Sequence, residues 1–129
     1  MSPELQQKIF ALKPEWFEGS CFNIECGDGW FDLIRDLIAK LIALESEEAE
    51  SFVDFKVTQI KEKFGGLRCG VEQPGSSFDD DSWKRVFSII NSYEHRSLSV
   101  CEFCGKQARL RTLGYIQTLC RYPHDQTEG

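Results

Sequence analysis

At 129 residues the chain has the length of one domain, enough for a single core and too short for two. Its apolar fraction of 41% is ordinary for a folded protein, and no apolar run approaches the roughly 20 residues of a membrane span. A net charge of −6 argues against broad binding to phosphate backbones or to anionic membrane.

The opening MSPELQQKIF lacks the basic start and apolar middle of a secretion signal, so a cytoplasmic protein with reduced thiols is expected. Charge is distributed unevenly. Residues 96–129 carry Arg96, Lys106, Arg109, Arg111 and Arg121 against Glu102, Asp125 and Glu128, a balance of +2, which leaves −8 for residues 1–95.

In chain order, Ser2 before Pro3 predicts an N-cap with proline in the first turn of a short helix. Leu5, Ile9 and Leu12 mark its apolar face, and Pro14 stops it. Residues 15–29 read as a loop whose aromatics, Trp16 and Phe17 among them, pack inward. Trp30, Leu33, Ile34, Leu37, Ile38, Leu41 and Ile42 then recur at helical spacing and predict the central core helix. Asp28 is its expected N-cap, and the charged ESEEAE of residues 45–50 ends it.

Residues 52–60, FVDFKVTQI, are β-branched and aromatic, and LRCGVE places Leu67, Cys69 and Val71 on one face. With KEKFGG between them they predict a β-hairpin whose Gly65 and Gly66 supply positive φ in the turn. A phosphate cradle is excluded there, since no Gly-Lys-Ser/Thr and no helix follow. After a loop at QPGSSFDDDS, Trp83, Val86, Phe87 and Ile90 predict an amphipathic helix reaching about Tyr93. Asp79, Asp80 and Asp81 lack the ligand spacing of a calcium loop and are read as helix-start residues. The fold class expected is α+β: one domain in which residues 1–95 pack amphipathic helices on a short antiparallel sheet, followed by a zinc-ribbon-like subdomain at 96–129.

That subdomain carries the strongest motif, C-x2-C-x15-C-x3-H, made by Cys101, Cys104, Cys120 and His124. Thiolate and imidazole are the donors of tetrahedral zinc, and a C-x2-C pair lets two sulfurs converge on one ion. Gly105 eases the turn after the second sulfur, and a strand, a turn at Gly114 and a return strand bring Cys120 and His124 back. Four protein ligands make a closed site, so the zinc expected is structural. His95 is the alternative fourth ligand. Inert buried thiols and a redox pair are the competing readings, the latter lacking a βαβ context. Cys21, Cys26 and Cys69 are expected to be buried free thiols.

Catalytic motifs are few. With one of only two histidines on the metal, His95 alone remains for acid–base work near neutral pH. The sequence His95-Arg96-Ser97 lacks the glutamate of a zinc deaminase, and no Gly-x-Ser-x-Gly or His-Glu-x-x-His occurs. A charged site at the hairpin turn, from Glu62, Lys63 and Arg68, is the enzyme alternative.

Three blocks, CGDGWFDLI (26–34), VTQIKEKFGGLR (57–68) and CEFCGKQARLR with LGYIQTLC (101–120), resemble a family of small bacterial and phage-encoded proteins of unassigned function. The resemblance covers roughly residues 27–124, and KEKFGGLR is its most specific part. Cys69-Gly70 stands where an aromatic pair is usual, and the last Cys-to-His spacing is one residue longer. The resemblance implies an accessory role, such as neutralising a toxin or modulating a host factor, and implies no catalytic residue.

Two binding functions follow as expectations. The first is a non-catalytic module of immunity or phage-accessory type that takes a basic protein partner on its acidic segments, with Glu45, Glu47, Glu48, Asp79, Asp80 and Asp81 as contacts. The second is a nucleic-acid-binding zinc ribbon that uses Lys106, Arg109, Arg111 and Arg121.

Overall fold

A computed structural model of the chain describes residues 1–18, 22–73 and 80–124, with residue 80 described by its backbone alone. It is a small α+β domain. Helix α1 (Pro3–Phe10) starts as predicted, with the Ser2 hydroxyl accepting from Leu5 N at 3.3 Å. Pro14 ends this segment by starting a short 3-10 turn, Pro14–Trp16. Trp16 and Phe17 are buried, and Trp16 packs against Phe52 and Phe55 with ring centroids 5.8 and 4.8 Å away.

The segment read as loop contains a short strand, β1 (Ile24–Glu25), which pairs in parallel with β2 (Lys56–Lys63). Two residues give no periodicity to read; what pins them is tertiary. Gln6 donates to Asn23 and to the Met1 carbonyl while its own carbonyl accepts from Ile24 N at 2.9 Å. A buried amide thus satisfies the backbone of a strand that lacks a second neighbour.

Helix α2 (Phe31–Glu47) carries the predicted stripe inward: Leu33, Ile34, Leu37, Ile38 and Leu41 are buried, while Ile42 packs at the edge of the core. Asp28 does not cap it. A 3-10 turn, Asp28–Trp30, precedes the helix, and the Asp28 carboxylate instead accepts from Ser2 N at 2.8 Å. The N-terminal helix is thereby tied to the start of the central one.

Strands β2 and β3 (Gly66–Glu72) form the antiparallel hairpin, with Lys63 paired to Gly66. The loop is therefore the two residues Phe64 and Gly65, at φ 52° and 84°. Positive φ at both is the type I′ geometry that matches strand twist. The expected Gly66 is an ordinary strand residue, and a phenylalanine takes the strained position instead. Leu67 and Cys69 are buried and Val71 packs beside them.

Helix α3 (Asp80–Ser97) runs one turn further than its apolar pattern. Ser97 justifies the extension: its buried hydroxyl accepts from Leu67 N at 2.9 Å, joining helix end to hairpin. Val86, Ile90 and Tyr93 face the core, whereas Phe87 is exposed and stacks on Trp83 at 5.0 Å. Strands β4 (Arg109–Arg111) and β5 (Gln117–Leu119) close the chain as a second, separate hairpin, turning at Gly114 with φ 75°. Among the described residues, no helix is long and apolar enough to cross a membrane.

Candidate metal centre

The chain leaves α3 and reaches Cys101, whose N–H donates to Lys106 O at 2.8 Å while Gly105 N–H donates to Cys101 O at 2.9 Å. These two bonds close a tight knuckle, and Gly105 takes φ 79° to permit it. Cys120 follows β5 directly, and the tail then carries His124 back beside Phe103, ring centroids 5.5 Å apart. Antiparallel pairing of Arg109 with Leu119 brings the two ends of the motif together.

The ligand atoms of Cys101, Cys104, Cys120 and His124 all lie within 4.8 Å of one another. His95 is not among them. It sits on the last turn of α3 beside Phe64, Arg68 and Leu98, so the alternative ligand set is corrected to the one with His124. Cys104 Sγ and Cys120 Sγ are 3.5 Å apart. A disulfide requires about 2.05 Å. Two thiolates in a tetrahedron at about 2.3 Å from one zinc are about 3.8 Å apart, so the observed spacing suits shared coordination.

Electrostatics point the same way. Burial pushes the Cys101 thiol up, but backbone N–H groups of Cys120, Cys104 and Phe103 aimed at the sulfur outweigh it and hold its pKa below the ordinary thiol value. Burial, with the neighbouring sulfurs of Cys104 and Cys101, pushes Cys120 up. The backbone favours the ionised form of the Cys101 sulfur, while the neighbouring sulfurs disfavour it at Cys120. A divalent cation removes that conflict. The donor set therefore fits a metal ion.

The knuckle does not stand free. Gly29 N–H donates to Glu102 O at 2.8 Å, Gly27 N–H to the Glu102 carboxylate at 3.0 Å, and the Trp30 indole to Val100 O at 2.8 Å. A Cβ on Gly29 would lie 2.2 Å from Cys101 O and 2.7 Å from Cys104 N; one on Gly27 would lie 2.4 Å from Glu102 O. Gly27 and Gly29 are the seat of the metal knuckle, a role the sequence reading missed. Its only signal was Gly-Asp-Gly directly ahead of a long helix.

The remaining candidate residues are dispersed. Glu45 pairs with Lys13 at 2.6 Å and Glu48 with Arg85, so two of the acidic contacts are engaged within the chain. Glu47 and Asp81 are exposed, while Asp79, the side chain of Asp80 and Cys21 lie outside the described residues. At the hairpin turn, Glu62 accepts from Gly65 N at 2.7 Å and Arg68 donates to Leu67 O at 3.0 Å, so both serve the backbone. Lys106, Arg109 and Arg121 are exposed, and Arg111 is half-buried with its Nε donating to Leu119 O at 3.2 Å. Compared with models of protein families, with curated proteins and with solved structures, the chain finds no match in any of the three.

Proposed function

We propose that the protein is a non-catalytic binding module in which one zinc ion, held by Cys101, Cys104, Cys120 and His124, fixes the C-terminal hairpin as a recognition surface. The observation that carries this reading is the convergence of four N and S donors within 4.8 Å. Zinc is favoured over harder ions because three of the four donors are sulfur. With every tetrahedral position taken by protein, no place is left for water or substrate, so the ion's work is structural. The ribbon gives it something to hold: strands of three residues each, which cannot bury enough surface to order themselves.

Elemental analysis of the purified chain tests the reading. One zinc per chain is expected, falling to well under half in Cys104→Ser, with cobalt substitution giving the spectrum of a tetrahedral thiolate site. A protein that folds and takes up neither ion overturns it.

A further inference from the structure

The β4–β5 hairpin is held in place by the metal knuckle on one side and by the β2–β3 turn on the other. Thr118 Oγ1 donates to Gly65 O at 2.6 Å, and a Cβ on Gly65 would lie 2.4 Å from Leu110. Around this junction the surface is unusual. Of the nine large apolar side chains exposed among the described residues, six lie here: Phe64, Leu110, Leu113, Tyr115, Ile116 and Tyr122. Tyr115 is 87% exposed and Phe64 68%. Packing does not require rings so far from the core.

The rings border adjoining hollows. Phe64 and Tyr115 wall one of about 360 Å³, whose lining includes Glu62, already engaged to Gly65 N. Phe64 also walls a second of about 350 Å³, lined by Arg68, His95, Leu110 and Glu94, whose carboxylate accepts from Cys69 N at 3.0 Å. Leu110 joins Arg109, Arg111 and Tyr122 around a third of about 420 Å³. Cations stand beside the rings at two of the three, Arg68 at the second and Arg109 and Arg111 at the third. Lys63 lies 5.7 Å from the Phe64 ring, and among the described residues none of Lys63, Arg68, Arg109 and Arg111 forms a salt bridge. Residues 96–124 hold five cations against one anion, Glu102, which is buried on Gly27 N.

We infer that this face binds single-stranded nucleic acid, its bases stacking on Tyr115, Phe64 and Tyr122 and its phosphates paired with Lys63, Arg68, Arg109 and Arg111. The inference rests on the metal reading, because the zinc holds the hairpin that carries Tyr115 and the Cys120–His124 tail that carries Tyr122. The cores of protein interfaces are depleted of charge, whereas here cations border two of the three hollows. Ring faces open to solvent can stack only on bases that are not already paired. Of the acidic groups in residues 1–95, Glu62 and Glu94 line this face, each engaged to a backbone N–H, and the others repel phosphate elsewhere.

The test is fluorescence anisotropy of the full, zinc-loaded chain with a labelled 20-nucleotide pyrimidine single strand and with its duplex, zinc content being measured on each sample. Single strands are expected to bind more tightly than duplex, with affinity falling roughly 50-fold between 50 and 200 mM salt for four phosphate contacts. Tyr115→Ala, at a side chain too exposed to matter for folding, is expected to weaken binding roughly 5- to 150-fold. Arg109→Glu is expected to weaken it and flatten the salt slope. A folded, zinc-loaded protein that leaves the single strand free at 50 mM salt overturns the inference while the metal reading stands. Equal binding of duplex with Tyr115→Ala neutral overturns it as mere electrostatic adhesion. Tyr115-dependent retention of a protein, without affinity for single strands, overturns it in favour of a protein interface. A chain that takes up no zinc fails at the earlier step, which the elemental measurement identifies separately.

Discussion

The α-carbon of Gly29 lies so close to the metal knuckle that a methyl group added to it would sit 2.2 Å from the carbonyl oxygen of Cys101. The obstructing atoms are backbone, including Cys104 N and Gly105 N, and backbone cannot swing aside as a side-chain tip can. Gly29→Ala must therefore displace the knuckle from α2 and break the Gly29 N–Glu102 O bond. We expect a loss of about 3 kcal/mol in stability, read by denaturant melts, and weaker zinc retention against a chelating dye. Gly29 has no ligand atom, so an effect on metal affinity isolates the seat from the site.

Metal removal should unfold the molecule in a fixed order. The ribbon's own contacts are few, whereas α2, α3 and the β2–β3 hairpin share the main core. A structural zinc of this type contributes on the order of 10 kcal/mol to the segment it organises. Chelation followed by hydrogen exchange should leave the amides of residues 33–44 and 57–71 protected and release those of residues 101–120. Cooperative loss of both regions would show instead that the knuckle seat on Gly27 and Gly29 couples them.

What the sequence revealed and what it concealed divide along physical lines. The stripe from Trp30 to Ile42, the hairpin and the Cys-x2-Cys pair were legible because each is a local pattern: a 3.6 period, a 2 period, a fixed ligand spacing. Strand β1 was not, because its partner lies about 36 residues away and Gln6, the Met1 amine and β2 define it. Gly27 and Gly29 fall in a stretch read only as loop, yet what they avoid is a contact more than 70 residues distant. Asp28 was misread for a related reason. Cap propensity said helix start, and Ser2 N–H, nearby only in the folded chain, claimed the carboxylate. The four residues of the candidate metal site are legible from spacing alone, while the choice between His95 and His124 needs the path of the tail.

Cys69 gives the fold a definite pH dependence. Burial, reinforced by the Glu94 charge, pushes its thiol up to about 12 from an ordinary 9.0. A raised folded-state pKa means that the unfolded chain releases the proton first. The thiol's contribution is fully present below about pH 9 and is lost progressively as pH rises toward 12. Urea titrations of zinc-loaded protein should show stability lower at pH 10 than at pH 8 by about 1 kcal/mol from this group, and Cys69→Ala should remove that share of the slope. Iodoacetamide at pH 8, followed by peptide mass spectrometry, should leave Cys69 unmodified in the native protein.

Phe64 is where stability and the inferred binding face pull against each other. At φ 52° its backbone occupies the left-handed region, which costs a bulky residue on the order of 1 kcal/mol, and the residue is 68% exposed, so little burial offsets the strain. Type I′ loops favour Asn-Gly, and Gly65 is already in place. Phe64→Asn should therefore stabilise the protein by about 1 kcal/mol in thermal or urea melts, an unusual gain from deleting an aromatic side chain. If the ring is there to stack on a base, the same substitution should weaken binding of a pyrimidine single strand several-fold while zinc content stays at one per chain. A more stable protein that binds less well is the signature of a residue retained for what it touches outside the molecule. Equal stability would mean that the β2–β3 turn relaxes the strain through its contacts with Leu110 and Ile116, and calorimetry on Leu110→Ala in the same background separates the two.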